Sequence, residues 1–161
     1  MSKKEEKTNV MRVLEQKGIP FTPHTYPHED GVAVDGVTVA RSMGQDPECV
    51  FKTLVARGAS KALYVFDIPV GDTLDLKKAA RAVGEKSIAM LPQKELLSNT
   101  GYVHGGCSPV GMKKPFPTVL DGSVAGLDAI VVSAGKIGAQ VELAPAALCA
   151  LVGGTFAPVS K

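Results

Sequence analysis

Apolar positions along the chain change period several times, and each change marks an element. Val10, Met11, Val13 and Leu14 recur at helical spacing behind Thr8 or Asn9, either of which can cap a helix that stops at Gly18. In "IPFTPHTYPH" the prolines at 20, 23 and 27 favour an extended or edge segment. "VDGVTVARSMG" reads as a short helix capped by Asp35 and closed by Gly44, and Asp46-Pro47 as the start of a brief one. "VFKTLVAR" and "ALYVFDIPV" alternate with period two and form a hairpin across "GASK". Asp75 caps the helix "LKKAARAV", which Gly84 ends; "KSIAML" is a strand, and Pro92 opens "PQKELLSN". "AIVVSAG" and "AQVELAP" are a second strand pair, and Pro145 starts a closing helix ended by Gly153 and Gly154. Several neighbouring strands lie too close together for βαβ crossovers. The expected fold is therefore α+β: one domain over residues 1–161, with a mixed, mostly antiparallel, barrel-like sheet surrounded by helices.

Composition narrows the class. The 161 residues are 45% hydrophobic and 21% charged, as in a globular chain with a substantial core, and Trp is absent. A formal charge of +2 is too small to mark a DNA-binding protein. Cys49, Cys107 and Cys149 are odd in number and widely spaced, which suits a reducing compartment. "MSKKEEKTNV" has no apolar run behind it, and no stretch approaches the roughly 18 apolar residues of a membrane span. A cytoplasmic location with no membrane partner is expected.

The stretch "GYVHGGCSPVGMKKPFPTVLD" (101–121) carries the candidate chemistry. As a nucleophile elbow it lacks the last glycine of Gly-x-Ser-x-Gly, and Pro109 pushes Ser108 away from helical geometry. Cys107 is the better nucleophile, with His104 nearby, but spacing identifies no third group to orient a base, and a lone cysteine beside glycines is more often a packing residue. A Walker loop would need Lys-Ser/Thr where Met112 stands. His24 and His28 on an extended chain lie about 13 Å apart at about 3.3 Å per residue, too far for one zinc ion, so no metal is expected. Alternation puts Lys52 on one face with Leu54 and Ala56, where it either snorkels at the strand end or serves a purpose, and snorkelling is the ordinary reading. Tyr26 reads equally well as a half-buried strand tyrosine.

Several stretches in one order shift that balance: "HTYPH" (24–28), "VFKTL" (50–54), "LDLKKAARAVG" (74–84), "TGYVHGGCSPVGMKKPFPTVLD" (100–121) and "SAGKIGAQVEL" (133–143). Through them the chain resembles, over nearly its whole length, the YbaK/EbsC family of aminoacyl-tRNA deacylases, related to the editing domain of prolyl-tRNA synthetases, and most closely the YbaK branch acting on Cys-tRNA(Pro). The resemblance implies that Lys52 is required for activity, with Thr53 and Tyr26 beside it in the pocket. It implies that Gly105, Gly106, Ser108 and Pro109 shape the aminoacyl site through their backbone, and that Ser133 ends the following strand within it. It further implies a misacylated tRNA 3′ end as substrate, prolyl-tRNA synthetase as the partner supplying tRNA selectivity, no cofactor, and attack by the cysteinyl thiol on its own ester. Glycine amides that approach a carbonyl closely, and a lysine that supplies charge without proton chemistry, suit such a reaction. Three positions depart from the family pattern: Gln140 stands where an aspartate is expected, Ala134 where a glycine is, and Cys107 where an isoleucine is. They leave room for a deacylase of Ala-tRNA or another small aminoacyl-tRNA, and Gln140 for a non-catalytic module that binds a tRNA 3′ end or a nucleotide.

Overall fold

The computed structural model describes residues 7–161; the lysine- and glutamate-rich start, residues 1–6, lies outside them. Helix α1 (Asn9–Gln16) begins where the Met11 N–H donates to Thr8 Oγ1 at 3.3 Å, and it buries Val10, Met11 and Leu14. Strand β1 (Thr22–Thr25) is the proline-flanked edge segment, and α2 (Gly36–Ser42) starts where Asp35 accepts from the Thr38 N–H. Strands β2 (Phe51–Gly58) and β3 (Leu63–Pro69) form the expected hairpin, with Lys52 opposite Ile68 and Thr53 opposite Asp67. Asp75 caps α3 (Leu76–Val83) by accepting from the Lys77 and Lys78 N–H groups, each at 3.1 Å, and Gly84 ends it with φ +74°. The order continues with β4 (Ile88–Met90), a 3-10 turn (Gln93–Glu95), α4 (Leu96–Thr100), β5 (Thr118–Asp121), β6 (Ile130–Lys136), β7 (Ala139–Leu143), α5 (Pro145–Val152) and β8 (Thr155–Ala157).

The strands form two open sheets. One has the order β1-β7-β6 and is antiparallel throughout; the other, β4-β2-β3-β5-β8, is antiparallel from β4 to β3 and parallel from β3 to β8. The class is α+β with a mixed sheet, as expected, but the sheets do not close into a barrel. Among the described residues strand pairing between them is limited to one bridge, Val50 to Val131, while Phe51 and Leu120 of the larger sheet join the core of the smaller one. The brief helix expected at Asp46-Pro47 is a turn, with the Glu48 N–H on Asp46 Oδ1 and the Cys49 N–H on the Asp46 carbonyl. The bridge at Val50, one residue further on, commits the chain to the sheet before a helix can propagate.

The largest core cluster packs Leu14 of α1 and Leu148 of α5 against Ile130, Val132 and Val141 of the three-stranded sheet. A second lies between α3 and the larger sheet, around Phe66, Ile68 and Ala79. A smaller one joins Val55 and Val65 to Cys107, so the glycine-rich loop is fastened to the opposite face of the hairpin.

Candidate active site

One edge of β2 has two partners and a gap between them. Its first end meets β6 at Val50, its last three residues pair with β4, and residues 52–54 have no strand beside them there. The Leu91 N–H bonds to the Val55 carbonyl on this edge, so alternation turns the peptide groups of Thr53 the same way. A cavity of about 340 Å³ opens at this gap. Lys52 and Thr53 line it from β2, His104, Gly105 and Cys107 from the loop, Tyr26 and the 33–36 segment from the far side, and Ser133 and Gln140 from the smaller sheet.

The loop owes its shape to its own hydrogen bonds. The Gly106 N–H donates to the Val103 carbonyl at 3.0 Å, the Val110 N–H donates to Ser108 Oγ at 3.2 Å, and the Tyr102 hydroxyl donates to the Val110 carbonyl. Ser108 is fully buried, and Pro109 sits on a different depression, so neither side chain faces the cavity. Gly106 lies against the β6–β7 turn, where an added Cβ would stand 3.0 Å from Lys136 Cα and Ile137 N. Gly105 is tighter still: its φ is +89°, and a Cβ would come within 2.7 Å of Ala33 Cβ across the cavity mouth. Gly105→Ala is expected to cost about 2 kcal/mol or more. Thermal unfolding reads this as a Tm lower by about 4–8 °C.

The polar groups fall into two kinds. Lys52 is half-buried and has no salt-bridge partner among the described residues. Burial lowers its proton affinity, while Asp72 and Asp35 act in the opposite direction. Asp35 lines the cavity as well, its Oδ2 accepting from the Thr38 N–H and hydroxyl. Of the uncharged groups, Ser133 Oγ accepts from the Gly135 N–H at 3.1 Å, and the buried Gln140 Oε1 has no partner among the described residues. An amide oxygen left bare in this way suits a donor arriving with a ligand.

Behind the cavity stands a carboxyl that motif and spacing do not single out. Asp67 is fully buried, shares a 2.6 Å hydrogen bond with Thr53 Oγ1, and leaves Oδ2 unpartnered. Burial pushes it up to about 7 against the opposing effect of the Thr53 bond. Below that pH the carboxyl can donate to Thr53, freeing its hydroxyl to donate into the cavity; above it Thr53 donates to Asp67 and offers lone pairs instead. The Cys107 thiol is pushed up to about 12, first by burial and then by Asp67. It faces the cavity as a neutral thiol and not as a thiolate nucleophile.

The two histidines of the first extended segment are engaged separately. His24 Nε2 meets Glu142 Oε1 at 2.7 Å, and His28 Nδ1 lies 3.1 Å from the Tyr26 carbonyl. Among the described residues no three His, Cys, Asp or Glu side chains group as metal ligands, and no helix is long and apolar enough to cross a membrane.

A two-sheet α+β domain with a cavity at the seam places the protein in the class of the editing domains. The chain belongs to the aminoacyl-tRNA editing domain family, whose model matches residues 32–151. It is 45% identical over 159 residues, covering 98% of this chain and 96% of the relative, to the "Putative Cys-tRNA(Pro)/Cys-tRNA(Cys) deacylase EbsC" of Enterococcus faecalis (strain ATCC 700802 / V583). A solved "putative trans-editing enzyme for prolyl tRNA synthetase" superposes with a TM-score of 0.81 at 26% identity, covering 99% of both chains. The fold is also that of hypothetical protein APE2540, with a TM-score of 0.84 at 22% identity over 97% of this chain and 100% of the other.

Proposed function

We propose that this protein is a cytoplasmic trans-editing deacylase that removes the amino acid from the 3′ end of misacylated tRNA, with Cys-tRNA(Pro) as its preferred substrate. The observation that carries the reading is Lys52, a lysine without a salt bridge among the described residues, at a cavity whose other lysine, arginine, aspartate or glutamate lining residue is the helix-capping Asp35. In this assignment Lys52 is the catalytic residue: its ammonium sits beside the terminal adenosine and offsets charge that develops on the ester. Tyr26, Thr53 and Ser133 bind the aminoacyl group, and Gln140 Oε1 accepts from its α-ammonium. Gly105 presents backbone at the cavity mouth, while Gly106, Ser108 and Pro109 hold that loop in shape.

The cavity offers no thiolate to attack the ester, which favours a nucleophile brought by the substrate. The cysteinyl sulfur attacks its own carbonyl carbon, the bond from that carbon to the ribose oxygen breaks, and the thiol proton passes to the departing ribose hydroxyl. Free tRNA and a cyclic thiolactone are the products. Positioning supplies most of the acceleration, because an aminoacyl ester is already activated.

A net charge of +2 gives weak general affinity for a polyanion, so selection among tRNAs is assigned to a partner, prolyl-tRNA synthetase. The test is a panel of mischarged tRNAs assayed with and without that synthetase. Cys-tRNA(Pro) should be deacylated fastest, Cys-tRNAs should be separated only when the synthetase is present, and alkylating the substrate sulfur should abolish turnover. Preference for Ala-tRNA would reassign the substrate. Turnover no faster than buffer would leave a binding module.

A further inference from the structure

A second depression, of about 690 Å³, runs on from the cavity and shares Lys52 and Leu54 with it. Three other depressions on the described surface share no residue with the cavity. This groove lies between β2, the start of α3, the end of β4 and the last residue, Lys161. Two kinds of group line it. Lys52, Lys77 and Lys161 supply three cations to its lining, and Leu76 and Met90 are exposed apolar side chains, at 41% and 43%. Asp75, capped by the Lys77 and Lys78 N–H groups and close enough to Lys161 to feel its charge, lines it as a carboxylate, so the side-chain balance of the groove is three cations to one anion.

Cations and exposed apolar side chains in one groove suit a single-stranded polynucleotide, whose phosphates meet lysines while its base faces rest on apolar side chains. Lysines act here as point charges and read no sequence. We infer that this groove holds the nucleotides that precede the terminal adenosine of an RNA 3′ end, with Lys77 and Lys161 on the phosphates and Leu76 and Met90 against the bases. The inference rests on the proposed deacylase reading and gives its substrate a path. Lys52 stands where cavity and groove join, so it marks the point at which the strand turns inward. A phosphate groove indifferent to sequence also fits a protein that takes its tRNA selectivity from a partner.

Binding and turnover can be separated. The probe is an unacylated oligoribonucleotide with the tRNA 3′-terminal sequence, titrated by fluorescence anisotropy. Lys77→Glu/Lys161→Glu should raise its Kd at least tenfold. It should also flatten the plot of log Kd against log salt by about 1.4, at about 0.7 for each phosphate that the lysines no longer neutralise. Lys61→Glu, at the exposed β2–β3 turn, should change neither, and the circular dichroism of both variants should match wild type. Unchanged binding by the double variant, or an equal loss with Lys61→Glu, overturns the groove. If wild type binds the RNA through the groove yet deacylates nothing, the groove stands and the deacylase reading fails. If deacylation proceeds and the double variant binds normally, the reverse holds.

Discussion

Lys52→Ala should lower kcat/KM for deacylation about 100-fold and leave the fold intact. The magnitude is that of removing one preorganised charge from a partly desolvated site. Structural loss should be small, because no salt bridge or hydrogen bond involving the Lys52 ammonium is present among the described groups. Lys52→Arg separates charge from proton transfer. If Lys52 acts by its charge, arginine should retain at least a tenth of the activity. It should also change the alkaline behaviour. Burial lowers the Lys52 proton affinity from its ordinary value, so the wild-type rate should fall on the alkaline side as the ammonium is lost. Arginine stays charged throughout that range, and its profile should lack that fall. Rates are read after subtracting spontaneous ester hydrolysis at each pH. A Lys52→Ala variant within threefold of wild type would remove Lys52 from the catalytic assignment.

What the sequence discloses about this fold depends on how local each signal is. The caps at Thr8, Asp35 and Asp75 and the stops at Gly18, Gly44 and Gly84 act within one turn of chain, and all of them appear in the structure. The β2–β3 hairpin is legible because both strands alternate and a short turn joins them. Strands β5 and β8 are not legible. "TVLD" and "TFA" are three or four residues long and become strands by lying parallel to partners more than thirty residues away in sequence. Asp121 fastens that region, accepting from the Val159 and Ser160 N–H groups and the Ser160 hydroxyl. Nothing in its immediate neighbours announces this.

The site divides in the same way. Lys52, Thr53, Tyr26, Gly105 and Ser133 are drawn together around one cavity from separate stretches of chain, and only the order of the motifs points to them in the sequence. Ser108 and Pro109 come from the same motif but are buried within the loop, where Ser108 Oγ accepts from the Val110 N–H. Cys107, which reads as a packing residue beside glycines, does both things: it joins the cluster under the loop and still lines the cavity. Asp67 carries a signal of its own. A carboxylate in the middle of "LYVFDIP", between apolar neighbours on a central strand, must be either exposed or held, and here it is held.

Asp67 gives the second large effect, on stability as a function of pH. An unfolded aspartate loses its proton near 3.8, whereas the folded protein keeps it on Asp67 up to about 7. Below pH 4 both states are protonated and the native state carries no penalty from this group. Between pH 4 and 7 the unfolded chain ionises while the native one does not, so stability falls by about 1.4 kcal/mol for each pH unit. Above 7 both states are ionised and the loss is complete, at about 4 kcal/mol. Asp67→Asn keeps the shape, can still share a hydrogen bond with Thr53, and cannot ionise. Its stability should match wild type near pH 4 and exceed it by several kcal/mol at pH 8, as read by urea unfolding across that range. Other titrating groups are common to both proteins, so the difference between the two curves reports this one carboxyl. Parallel curves would mean that Asp67 ionises in the folded state as readily as in the unfolded one, and that its buried oxygen finds a partner. A variant that is more stable and less active at pH 8, where the wild-type carboxyl is ionised, would show why a charge-bearing group sits behind Thr53. The ionised carboxyl fixes the direction of the Thr53 hydroxyl, and an amide, which can donate or accept, does not.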